Sequence, residues 1–167
     1  KAQAAWRAGL AAIVCVGDEQ WLNDSTIYNN NVTWFNSNRG NFPNTMLYTN
    51  QWGTEVPEGT MISFVHDANP DAVNFDNYPY VVGGGSFIQE EYEDLSKYRR
   101  LGLGSYIGAN GNAPRPYGTF IQTYATSGDN RRAPSDSEMR LQVFQALTCG
   151  YTFIGTFTYN SGASTLF

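Results

Sequence analysis

The residues of this chain best equipped for chemistry are carboxylates that follow apolar runs. Asp18 and Glu19 come just after the run Ala11–Val16, and Asp76 comes directly after Ala72–Phe75. Two carboxyl groups, one kept neutral by burial or a neighbouring charge and the other ionised, supply a general acid and its partner base or nucleophile. Glu19 and Asp76 are the candidate carboxylates, with Asp18 the neighbour whose charge would raise Glu19. Amides and aromatic rings end the same apolar runs: Asn50-Gln51-Trp52, Asn77-Tyr78-Pro79-Tyr80, Gln122-Thr123-Tyr124 and Thr158-Tyr159-Asn160. Amides and carboxylates hydrogen-bond hydroxyls while Trp and Tyr rings cover C–H faces, a mixture that suits sugars and equally a peptide or small-molecule groove. A structural alternative stays open for each carboxylate. Asp18-Glu19 suits the N-terminus of a following helix, and Asp76 suits a bond to the loop that Tyr78-Pro79 begins.

Other chemistries have less to stand on. His66 is the single histidine, beside Asp67 on an expected outer helix, so a Ser-His-Asp site or a His-rich metal centre has no support and a surface role is expected. Gly83-Gly84-Gly85 lacks the Lys-Ser/Thr of a phosphate-binding loop and reads as a turn. A net charge of −5, with Arg99-Arg100 and Arg131-Arg132 as the basic pairs, argues against a nucleic-acid partner. The longest nearly apolar run, Leu10–Val16, is too short to cross a bilayer, so no membrane partner is expected. Neither a metal nor another cofactor is expected. Cys15 and Cys149 lie in or beside apolar sequence and read as free, buried thiols. The sequons at Asn23 and Asn31 fall in one polar stretch, where N-glycans on a surface loop would accompany secretion. The chain starts at Lys1, and the expectation is that a leader or an N-terminal portion precedes it.

What must position these residues is an alternation of strands and helices in one domain over residues 1–167. With 41% hydrophobic and 15% charged residues the chain can build a core. Strands are expected at Ala11–Val16, Thr45–Thr49, Ala72–Phe75, Gly118–Tyr124 and Tyr151–Tyr159, and helices at Lys1–Leu10, Thr26–Asn36, Gly59–Ala68, Ser86–Leu103 and Ser135–Cys149. The last helix carries the clearest start signal, because Pro134 precedes the capping box Ser135-Asp136-Ser137-Glu138 and Gly150 follows the apolar face. Runs such as Ala-Ile-Val-Cys-Val show no polar alternation, as in parallel strands covered on both faces. Strand starts recur at roughly 27 to 45 residues, the length of a βα unit, so the chain holds about five units of a parallel (β/α) barrel of roughly eight. An open five-stranded doubly wound sheet also fits the length.

The segments Asp18-Glu19, Pro70-Asp71-Ala-Val-Asn-Phe-Asp76-Asn-Tyr78-Pro79-Tyr80, Thr119-Phe-Ile-Gln122-Thr-Tyr124, Arg132-Ala-Pro-Ser-Asp-Ser-Glu138 and Phe153-Ile-Gly-Thr-Phe-Thr-Tyr159 come in an order and spacing that resemble strands 4 to 8 of a glycoside hydrolase-like (β/α)8 barrel of the β-galactosidase-like group. The resemblance implies a secreted enzyme acting on O-glycosidic bonds of a polysaccharide or glycan, with Glu19 as general acid/base. It also implies that the missing strands come from a complementary or longer parent chain. Asp18, Trp52, Tyr78, Gln122, Tyr124 and Tyr159 would then bind the carbohydrate. In that group a Glu nucleophile ends strand 7, whereas this chain has Gln122 there, so Asp76 ranks first as second carboxylate. Attack by a substrate acetamido group, and a site that binds sugar without cleaving it, are the alternatives. A catalytically inactive carbohydrate-binding or structural barrel is the competing expectation.

Overall fold

The computed structural model describes residues 13–104, 114–157 and 164–165. The expected helix over Lys1–Leu10 and the strand-end residue Tyr159 lie outside the described residues. Within them the elements run β1 Ile13–Asp18, α1 Ser25–Asn38, a short 3-10 turn Arg39–Asn41, β2 Met46–Trp52, α2 Glu58–Ala68 and β3 Ala72–Asp76. There follow α3 Ile88–Leu103, β4 Tyr117–Gln122, β5 Tyr124–Ala125, α4 Asp136–Thr148, β6 Phe153–Phe157 and β7 Ser164–Thr165.

Five strands form one parallel sheet in the order β1-β2-β3-β4-β6, curled into a half-barrel, and β5 pairs antiparallel with β7. The domain is therefore α/β, a partial barrel of the TIM type with four helices among the described residues. Each parallel crossover needs a helix to return the chain to the same end of the sheet, which is why the apolar runs alternate with helical segments. Local signals start and stop those helices. Asp24 caps α1 by accepting from the Thr26 and Ile27 amides at 2.8 and 3.0 Å. Ser135 and Glu138 close the expected capping box on α4. Gly104 ends α3 in a left-handed turn at φ 65°.

The core lies between the sheet's outer face and the helices. Leu47, Val73, Phe75 and Tyr117 from the strands meet Phe35, Phe64, Leu95 and Tyr98 from α1, α2 and α3, all nearly or fully buried. Tyr98 stacks on Phe75 with ring centroids 4.7 Å apart. The inner face is packed by reciprocal small and large residues instead. Gly118 sits opposite Phe153 and Gly155 opposite Phe120, and a methyl group on either glycine would overlap the facing ring. Neither cysteine is buried: Cys15 is exposed on the edge strand and Cys149 half-buried, both as free thiols. Their apolar sequence context misled because, among the described residues, no strand pairs with the outer edge of β1, and Cys149 lies at the end of α4.

Candidate functional site

The carboxyl end of the sheet holds an open cleft of about 390 Å³ lined by Cys15, Gly17, Asp18, Glu19, Tyr48, Asn50, Asp76, Tyr78, Phe120 and Phe157. Neighbouring residues of a regular strand point to opposite faces, so Asp18 and Glu19 should not both enter it. The backbone solves this locally. The β1–β2 register shifts between Cys15 and Asp18, Gly17 turns left-handed at φ 80°, and Glu19 follows at φ 46°. A non-glycine residue in that region is strained, and the Glu19 amide is tied to the Asn50 carbonyl at 2.9 Å. The strain brings both carboxyls to one cleft. Neither of them caps a helix, because Asp24 does that.

Asp76 is 4% exposed at the end of the central strand. Its Oδ2 accepts from the Tyr78 hydroxyl at 2.9 Å, the Asn50 amide also acts on the carboxyl, and Oδ1 has no hydrogen-bond partner among the described residues. The Glu19 carboxyl lies close enough to Asp76 for each group to act on the other's proton affinity. Burial, and then the charge of Glu19, push Asp76 up from the usual 3.8 to about 7, whereas exposed Glu19 is raised chiefly by desolvation. Asp76, the group that water cannot reach, is raised mainly by its burial, and the Glu19 charge beside it raises it further.

Beneath the pair runs an amide ladder. Asn74 Nδ2 donates to Asn50 Oδ1 at 2.6 Å, and Asn50 Nδ2 donates to Asp18 Oδ1 at 2.8 Å. These contacts cross β3, β2 and β1 at one level, since Asn74 pairs with Asn50 and Asn50 with Asp18 in the sheet register. The loops above β2 and β3 are braced to α3. Asn77 donates to Asp94 Oδ2 at 3.0 Å, Lys97 pairs with Asp94 at 3.3 Å, and Lys97 also donates to the Gly53 and Val56 carbonyls.

The aromatic residues expected to form a sugar platform largely cover one another. Tyr78 stacks on Phe157 at 5.5 Å and meets Tyr124 and Trp52 edge-on at 5.2 and 5.9 Å. The Arg131 guanidinium lies over Trp52 and Phe87, 5.9 and 5.8 Å from their centroids. Of the expected binders only Asp18 and Tyr78 line the cleft with Glu19 and Asp76; Trp52 and Tyr124 pack behind Tyr78. Gln122 serves the fold: its Oε1 accepts from the Tyr80 amide, and its Nε2 donates to the carbonyls of Tyr80, Tyr124 and Arg132 at 3.1, 3.3 and 2.7 Å. Asn23 is exposed, but Asn31 sits inside α1 and donates to the Ile27 carbonyl, so the second sequon is helical rather than in a loop. His66 is exposed and paired with Asp67 at 2.7 Å. Sequence reasoning missed Cys15, Tyr48, Phe120 and Phe157 as cleft walls. The usable signal was alternation, since Tyr48 and Phe120 share inward parity with Asn50 and Asp76.

No family model matches the chain, and no curated protein matches it. Solved structures that align with it include the radical S-adenosylmethionine methyltransferase TsrM from Kitasatospora setae with cobalamin and a 4Fe-4S cluster bound. The TM-score is 0.49 and the identity 9%, over 93% of this chain and 29% of that one. A second structure of that enzyme, with tryptophan substrate and a SAM analog, aligns at TM-score 0.48 and 9% identity, over 92% of this chain and 28% of that one. The chain thus spans less than a third of the proteins it aligns with, and a likeness this weak carries no conclusion about chemistry. The glycoside hydrolase and carbohydrate-binding expectations are withdrawn: no glycosidase family model and no curated glycosidase matches the chain, and the solved structures named above are of a methyltransferase. The physical reason is that βα spacing and carboxylates at strand ends are common to parallel barrels of many chemistries.

Proposed function

We propose that the cleft binds a small molecule and performs general acid–base proton transfer on it through the Asp76–Glu19 pair. The observation that supports this reading is a buried carboxyl, pushed up to about 7, that shares one cleft with an exposed carboxyl at the carboxyl end of a parallel sheet. A proton donor and acceptor work best when the affinity for the proton lies near the working pH. Asp76 meets that requirement by burial, Glu19 by facing solvent and returning the proton, and Tyr78 by holding Asp76 Oδ2 in place. The parallel-sheet fold puts these groups where ligands of α/β proteins bind.

A planar proton-abstraction reporter of the nitrobenzisoxazole type tests the reading without knowledge of the natural substrate. Ring opening should rise through an inflection near 7 as Asp76 loses its proton, and Asp76→Asn should lower the rate by at least about tenfold. A pH–rate profile flat across that range, or one unchanged in Asp76→Asn, rejects it.

A further inference from the structure

We infer that the cleft takes a small amine, with its ammonium group between Asp76 Oδ1 and the Glu19 carboxylate and its apolar body along Tyr78, Phe120 and Phe157. The inference rests on the acid–base reading of the same cleft and names its substrate class. Its basis is a surplus of acceptors. The donors at the cleft floor are engaged within the protein: Tyr78 on Asp76 Oδ2, Asn74 on Asn50, Asn50 on Asp18 with its amide also acting on Asp76, and the Cys15 thiol on the Gly17 carbonyl at 3.3 Å. The Tyr48 hydroxyl faces the Cys15 sulfur. One buried acceptor that lines the cleft, Asp76 Oδ1, is left without a hydrogen-bond partner among the described residues. A ligand that completes this floor must bring donors.

Charge then selects among donors. The groups that act on Glu19 across the cleft are carboxyls: Asp76, Asp18, Glu55 and Asp129. Arg131 stands at the rim, held by its contacts with Trp52 and Phe87. An anionic ligand would meet repulsion from that acidic lining, a neutral one would gain little from it, and a cation would be attracted. The aromatic walls act in the same direction, since ring faces attract cations and cover an apolar stem. On binding, the ammonium N–H bonds take the place of any proton that the two carboxyls carry, and that proton leaves to solvent. No bond to carbon is made or broken.

Calorimetry on the whole chain with benzylammonium, benzyl alcohol and benzoate decides the matter. At pH about 7.5 benzylammonium should bind at least about tenfold more tightly than benzyl alcohol, and benzoate should not bind. Runs in buffers of different ionisation heat should show proton release on binding of the ammonium, and its affinity should fall at pH about 5, where the pair keeps its proton. Asp76→Asn should remove the preference for the ammonium over the alcohol. Glu19→Gln, on the exposed partner and so with little bearing on the fold, should weaken it. Equal binding of ammonium and alcohol, binding of benzoate, or no binding of the ammonium overturns the proposal. Loss of amine preference with the reporter's pH inflection intact defeats the ligand class alone, whereas amine preference without that inflection defeats the proton-transfer reading alone.

Discussion

At the scale of single residues, burial decides which carboxyls matter. Asp76 and Glu91 are each 4% exposed, and each is raised mainly by desolvation, Asp76 from 3.8 to about 7 and Glu91 from 4.5 to about 8. The folded state therefore keeps protons that the unfolded chain releases near pH 4. Their contribution to stability is fully present below that pH and is lost as pH rises through about 7 for Asp76 and about 8 for Glu91. A shift of this size corresponds to roughly 4 kcal/mol for each group before relaxation. Urea unfolding should give a lower free energy at pH about 8 than at pH about 5, and Asp76→Asn with Glu91→Gln should flatten the slope. Equal wild-type stability at both values would mean that neither proton is held. Asp76 was legible as a candidate from its place after an apolar run. Its raised proton affinity was not, because burial is a property of the assembled sheet.

At the scale of elements, small residues and amides set what each strand presents. Gly118 and Gly155 leave room for Phe153 and Phe120, so the aromatic floor of the cleft depends on two residues without side chains. Gln122 is fully buried and satisfies four backbone groups of the loops after β3 and β4, and Gln142 of α4 clasps the Gln122 main chain at 2.8 and 3.2 Å. Gln122→Leu keeps the volume but leaves the Tyr80 amide and three carbonyls without that partner, which should cost about 3 kcal/mol or more in chemical denaturation. A loss under about 1 kcal/mol would show that water replaces the amide. From sequence, a glutamine ending a strand among aromatic residues looked like a ligand-binding amide. The residue type is the same for both tasks, and only the loop backbones it meets distinguish them. Helix α4 was legible because a capping box and a following glycine are local signals, and Glu138 indeed closes the box while pairing bidentately with Arg132.

At the scale of the whole molecule, the half-barrel has a graded sheet. β3 is buried along its full length at the centre, whereas β1 and β6, at the two edges, are partly exposed, with Ile13 45% and Phe157 42% accessible. Hydrogen exchange should therefore be slowest in β3, intermediate in β2 and β4, and fastest in β1 and β6. Protection of β1 equal to that of β3 would mean that a further strand covers its edge in solution. The resemblance to a glycosidase barrel failed at this scale. The spacing that carried it belongs to the parallel α/β architecture, and a shared architecture says little about which groups its strand ends carry.

The amino-acid order by itself determined the class of the fold: five apolar runs without polar alternation, separated by capped helical segments, can bury both faces only as parallel strands joined by crossover helices. It also brought Asp18, Glu19, Asp76 and Tyr78 to one rim, since each follows a strand. The tertiary structure alone decided that the sheet curls into half a barrel, that a left-handed turn admits both Asp18 and Glu19, that Gln122, Trp52 and Tyr124 serve packing, and that burial raises Asp76. The physical reason is one of range. Periodicity and caps act between near neighbours and are written locally, whereas desolvation, neighbouring charges and engaged hydrogen-bond donors depend on groups brought together from distant parts of the chain.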